Sequence, residues 1–229
     1  MQRKTWTGWR AALAQTVGLV LVFTPVAALA VAGGPVPRGP AGQSPMARLI
    51  KAVNPKAKLP APMISKIVWS GLDIDGDGAG DFINPTGQAP RLYDAFGYGE
   101  FGASRDGGSR HHEGVDYTAV AEQAVAAPIS GYVTKIGYAY GGDTSLKFVE
   151  ITNPAIGYVA RAFYVDPGVA VGQAVRLGQS IGTVASLQSH YPGITDHVHL
   201  EVMKSGERLN AETLILARTI KVKAKTANG

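Results

Sequence analysis

"HVHLEV", residues 197–202, alternates polar and apolar side chains without a break. A β-strand has a side-chain period of two, so Val198, Leu200 and Val202 share one face and His197, His199 and Glu201 the other. The segment therefore predicts a strand with its apolar face in a core and its two histidines side by side. The chain has only five histidines. Four of them fall in this hexamer and in "HHEGVD", residues 111–116, and the fifth is His190.

The surrounding sequence has the same character. "QAVAAPISGYVTKIGYAY" reads as strand, turn, strand. "FVEITN" and "YVARAFYVDP" read as two further strands, and "QAVRLGQSIGTVA" as a pair broken at Gly178. With 29 Gly, 14 Pro and 17% charged residues, the composition fits a turn-rich chain. The expected fold is mostly β, an antiparallel sheet or sandwich core. "NAETLILAR", residues 210–218, places an Asn cap before helix formers and predicts one short C-terminal helix.

The first thirty residues read as an export signal. Arg3, Lys4 and Arg10 form a basic head, "VGLVLVF" an apolar heart, and Ala28-Leu29-Ala30 an A-x-A cleavage pattern. An uncleaved anchor over 11–30 is the competing reading, weakened by Gln15 and Pro25. Residues 31–64, rich in Pro, Ala and Gly, read as a linker with room for a helix near Met46–Val53. A β domain over 65–218 and a basic tail over 219–229 complete the expected organisation. No cysteine is present, which excludes disulfides and thiolate metal sites. Without the three basic residues of the first thirty, the net charge falls from +5 to +2, and no basic patch interleaved with aromatics points to nucleic acid.

In "HHEGVD", His112 and Asp116 are four apart, an even spacing that puts both on one face of an extended chain, with Gly114 leaving room for close approach. Imidazole and carboxylate suit zinc, and a catalytic zinc takes three protein ligands and leaves a position for water. His112, Asp116 and one of the pair His197 and His199 would make such a set. The remaining histidine would stand beside the water as a general base. A lone His-x-His or H-x-x-x-D is weak; their joint occurrence on strand-like segments is what carries the reading.

"RHHEGVD", "AAPISGYVTKIG", "GVAVGQAVRLGQSIGTV" and "HVHLEV" follow one another in an order that resembles the lysostaphin/LytM-type zinc peptidase family. The resemblance covers about residues 86–216. It implies a zinc endopeptidase cutting peptides of bacterial peptidoglycan, with His112, Asp116 and His199 as ligands, His197 as the catalytic histidine, and Gly131, Gly172, Gly178 and Gly182 at turns. Peptidoglycan peptides are the partners it implies; with the export signal, the expected location is periplasmic or extracellular at a bacterial cell wall, and a protein activator is a further candidate partner. The family usually carries another histidine before the "GVAVGQAV" stretch. Here that region is "RAFYVDP"; Tyr164 is the best match, with Phe163 the alternative. "LQSHYPGITDHVHLEV" resembles a chemotaxin-like branch of the same family that also lacks this histidine. That likeness implies zinc binding and a competing function, a non-catalytic zinc-stabilised module that binds cell-wall peptide or protein. His190, in the "SHYPG" loop, reads either as a surface residue or as a group able to swing in.

"DIDGDGAGD", residues 73–81, spaces Asp73, Asp75, Asp77 and Asp81 as in a calcium loop, with Asn84 where a bidentate Glu would be needed. Two readings stay open, a calcium-stabilised loop and an acidic Gly-rich turn.

Overall fold

The computed structural model describes residues 45–56 and 62–224. The expected export signal and most of the expected linker lie outside them. Two compact units divide the chain between Leu59 and Pro60. In the first, the described residues form one helix, Pro45–Val53, whose apolar Met46, Leu49, Ile50 and Val53 recur at helical spacing and are all exposed. No helix among the described residues is long and apolar enough to cross a membrane.

The second unit is antiparallel β throughout. Its main sheet runs in the order Ala174–Val175, Gly131–Tyr140, Asp143–Asn153, Tyr158–Phe163, His197–Lys204, Glu207–Leu209; Val115–Thr118 pairs with the first half of His197–Lys204, on the edge whose second half pairs with Glu207–Leu209. A three-stranded sheet of Ala124–Ala126, Ser180–Val184 and Val165–Pro167 packs with it. The alternation read in the sequence explains the core. Val133, Val149, Ile151, Ala160, Ala162, Val198, Leu200 and Val202 are at most 1% exposed and form one cluster with Val115, Tyr117, Val125 and Ile181. At about 1.5–3 kcal/mol for each large apolar side chain buried, this cluster is the main stabilising term.

The C-terminal expectation needs correction. Asn210 does cap, its side chain accepting from Glu212 N at 2.9 Å, but only the single 3-10 turn Ala211–Thr213 follows. From Ile215 to Lys223 the chain is a strand zipped along Met63–Gly71 over nine residue pairs. A local cap signal is outweighed by cross-strand pairing with a partner some 150 residues away, which no local reading weighs. The strand also runs past the expected boundary at 218, and its partner begins before the expected one at 65.

Candidate metal centre

Strand register assembles the centre. His197–Lys204 has a neighbour on each side: His199 lies opposite Asp116 on Val115–Thr118 and opposite Phe163 on Tyr158–Phe163. Cross-strand partners present their side chains on the same face about 5 Å apart, so Asp116 and His199 meet because the two strands pair in this register. His112, just before the strand, is tied down by its own main chain: His112 N donates to Ala103 O, and its Nδ1 donates to Glu100 O at 2.8 Å.

Three donor atoms converge. His112 Nε2 is 2.8 Å from His199 Nδ1 and 3.0 Å from Asp116 Oδ1, and His199 Nδ1 is 2.9 Å from Asp116 Oδ1. His112 and Asp116 are buried, and His199 is partly buried. Burial opposes charge on Asp116, yet hydrogen bonds from His112 and His199 hold its carboxyl well below the usual carboxylate range. Burial likewise opposes charge on His199, but bonding to Asp116 and the nearby Glu201 carboxylate outweigh it and raise the imidazole to about 9. Around its centre the cluster thus favours positive charge. A divalent cation can meet the same demand. Zinc with arms of about 2.0–2.1 Å spans tetrahedral edges of about 3.3 Å, close to the spacing of these three atoms, and two nitrogens with one carboxylate oxygen suit it chemically. Glu201 Oε1, 3.6 Å from His199 Nε2, backs the second ring nitrogen.

His197 stands at the edge of the trio. Its Nδ1 donates to Thr195 O at 2.7 Å, leaving Nε2 facing inward, 3.5 Å from Asp116 Oδ1. Burial pushes this imidazole below its ordinary value, partly offset by Asp116. The cleft above, about 420 Å³, is walled by Phe96, Tyr140, Tyr164 and Tyr191. Tyr164 has a left-handed backbone, φ 64°, and separates Tyr158–Phe163 from Val165–Pro167. That sparsely populated conformation, rare in a non-glycine residue, re-aims the chain between sheets and turns the ring into the cleft. There it packs edge-on to His197, with ring centroids 5.3 Å apart, and its hydroxyl bonds Tyr140 Oη at 2.8 Å. Phe163 instead packs against Phe148 and the edge of His199.

Two expectations end elsewhere. His190 is pinned outside the cleft wall, its Nε2 2.8 Å from Asp143 Oδ2 and 2.9 Å from Ser145 Oγ, and its Nδ1 2.9 Å from Ser189 Oγ. In the acidic loop, Asp73, Asp75 and Asp77 lie together on the surface, but Asp81 is not with them; it accepts from Ile74 N at 2.7 Å. Asp73, Asp75 and Asp77 accept from backbone amides of their own turn, and buried Asn84 bonds Gln88 O and the amides of Thr86 and Gly87. The four-aspartate set is therefore not assembled.

Arg91 also belongs to the site, and no spacing in the sequence ties it to Asp116. This guanidinium, 4% exposed, donates to Asp116 Oδ2 at 2.8 Å from a loop 25 residues upstream. Gly114, in contrast, behaves as read: a Cβ there would lie 2.5 Å from Leu200 O and 2.8 Å from His199 Cε1 and Nε2. Gly114→Ala is expected to displace the strand at Leu200 O as well as the His199 ring, and so to lower stability and weaken zinc binding by about 10- to 100-fold. Titration against a chromophoric chelator, with circular dichroism as control, checks this; unchanged affinity would contradict it.

Comparison with known proteins identifies the family. Residues 110–211 match the model of Peptidase family M23. Leukocyte cell-derived chemotaxin-2 of Mus musculus is 31% identical over 117 residues, 51% of this chain and 75% of that protein. Among solved structures, the catalytic domain of lysostaphin from Staphylococcus simulans superposes with a TM-score of 0.41 at 22% identity, over 50% of this chain and 86% of that one. A zinc-containing peptidase from Vibrio cholerae gives 0.43 at 22% identity, over 57% of this chain but only 39% of that one. With a relative of this identity matched over three quarters of its length, the chain belongs to peptidase family M23.

Proposed function

We propose that the chain is an exported zinc endopeptidase acting on peptide bonds of bacterial peptidoglycan, with His112, Asp116 and His199 as zinc ligands and His197 as general base. The observation that carries the reading is the convergence of His112 Nε2, Asp116 Oδ1 and His199 Nδ1 within 3.0 Å of one another at the floor of an open cleft. Family membership supports a peptidase. Zinc, when bound, supplies Lewis acidity at this point.

The residues of the chain do the rest. Thr195 O takes the Nδ1 proton of His197, so in the neutral ring Nε2 is the atom free to accept a proton from an attacking water. The ring's burial disfavours its charged form. Tyr164 and Tyr140 share one hydrogen bond between their hydroxyls, and whichever oxygen accepts it keeps its own proton to donate. A tyrosine donor at the cleft wall serves the developing oxyanion in place of the histidine that the family usually carries. Tyr164→Phe is expected to lower turnover about 100-fold with zinc content unchanged, and Tyr164→His to raise turnover above the native rate. Equal rates in all three proteins would remove Tyr164 from the chemistry.

The test of the function is digestion of purified peptidoglycan by the zinc-loaded chain, followed by a search for new peptide termini. The chemotaxin-2 relative and Tyr164 in place of a histidine favour one second reading, a zinc-stabilised module that binds cell-wall peptide or a protein without cutting it. Bound zinc, retained peptide binding and no new termini would select that reading. Export rests on the basic head and the A-x-A at 28–30, and the exported chain is expected to begin at Val31; an N-terminal sequence that still starts at Met1 would contradict it.

A further inference from the structure

Arg91 lies outside the residues matched by the family model, yet the segment 91–99 brackets Asp116. On the main chain, Arg91 N donates to Asp116 O at 2.6 Å, Asp116 N donates to Gly99 O at 2.8 Å, and Gly99 N donates to Arg91 O at 3.2 Å. A Cβ on Gly99 would lie 2.7 Å from Arg91 O and 3.0 Å from Asp116 Cβ, so the two stretches approach as closely as backbone allows. Among the side chains, Arg91 Nη2 and Nε donate to Asp116 Oδ2 at 2.8 and 3.3 Å. Nη1 turns the other way, to Gly97 O at 2.8 Å and Asp94 Oδ1 at 2.7 Å. The second oxygen of Asp94 accepts from Thr195 N at 3.2 Å. Thr195 is the residue whose carbonyl orients His197.

One continuous chain of hydrogen bonds therefore runs Asp116–Arg91–Asp94–Thr195–His197. We propose that the Arg91–Asp94 pair is a positioning device that holds the outer oxygen of Asp116, so that only Oδ1 faces the two ligand imidazoles, and through Thr195 sets the ring of His197. The proposal rests on the zinc reading of the site. Arg91 acts only through its neighbours and touches no reacting group.

The physical need is specific. A carboxylate with both oxygens free can swing or offer both to an ion; with Oδ2 claimed by a guanidinium it offers one, which leaves coordination space open. Reaching Asp116 with two nitrogens and Asp94 with a third requires a planar fork of donors. Lysine carries the charge but lacks the fork. Partners that orient metal ligands typically change affinity by about 10- to 100-fold when removed.

The test uses the full chain and its Arg91→Met and Arg91→Lys variants. Zinc affinity is measured by competition with a chromophoric chelator, and the visible absorption spectrum of the Co²⁺-loaded protein reports ligand geometry independently of activity. Arg91→Met is expected to lose about 10- to 100-fold in zinc affinity and to change the cobalt spectrum. Arg91→Lys is expected to recover part of the affinity but not the native spectrum. Should Arg91→Met fail to fold by circular dichroism, Arg91→Lys decides alone. A folded variant with native affinity and native cobalt spectrum overturns the proposal. A native chain that takes up no zinc overturns the reading of the site itself, and this proposal with it, so the two failures are told apart.

Discussion

Asp116→Ala is expected to leave the purified chain without bound zinc and to lower its stability by about 3 kcal/mol. Two effects add. The trio loses its only negative donor, so two imidazoles remain to hold a dication. Arg91 also loses the partner of Nη2 and Nε, although its contacts with Asp94 and Gly97 persist and keep the cost near the lower end of that for breaking a buried pair. For a folded unit of this size, 3 kcal/mol corresponds to about 10 °C in melting temperature. Asp116→Asn separates the two effects. It keeps the shape of the side chain and an oxygen able to accept from Arg91, so its melting temperature should fall less while zinc is still lost. Metal analysis of the dialysed proteins together with thermal unfolding checks both. Zinc retained at native stoichiometry in Asp116→Ala would place the ion, if any, elsewhere.

The same residues show what can be read from a sequence. Alternation in "HVHLEV" is a local property, so its strand, the face of His197 and His199 and the buried Val198 and Leu200 are legible without any partner. Gly114 is legible too, because a glycine between two ligand types signals close approach, and the atom that approaches is the His199 ring. Registers are not legible. Nothing in either segment says that His199 pairs with Asp116 and not with a neighbour two residues away; the long-range packing of Val115, Tyr117, Val198 and Leu200 selects it. Arg91 escapes for the same reason. An arginine in a loop is by default a solvated charge, and only the fold turns it inward. The acidic loop shows the converse. The spacing of its aspartates is that of a calcium loop, but only Asp73, Asp75 and Asp77 come together, and spacing alone does not show that Asp81 turns instead to Ile74 N. At the C-terminus, a true cap at Asn210 gave a helix expectation because the competing strand, Met63–Gly71, is remote in sequence.

His197→Ala is expected to reduce peptide-bond cleavage by about 100- to 10,000-fold while leaving zinc bound, whereas His199→Ala is expected to lose both. The two residues share a strand face and are two apart, so composition and spacing treat them alike. Geometry does not. His199 Nδ1 sits 2.8 and 2.9 Å from the other two donor atoms, inside the trio, whereas His197 Nε2 is 3.5 Å from its nearest carboxylate oxygen and its ring lies against Tyr164 at the cleft wall. A proton acceptor belongs at that distance, close enough to reach a water at the centre yet outside the ligand set. Removing a ligand changes metal content first and rate as a consequence; removing a base changes rate alone. Measuring zinc per chain beside cleavage of one peptide substrate in both variants therefore separates the roles. Loss of zinc in His197→Ala, or its retention in His199→Ala, would exchange the two assignments and with them the direction from which water attacks.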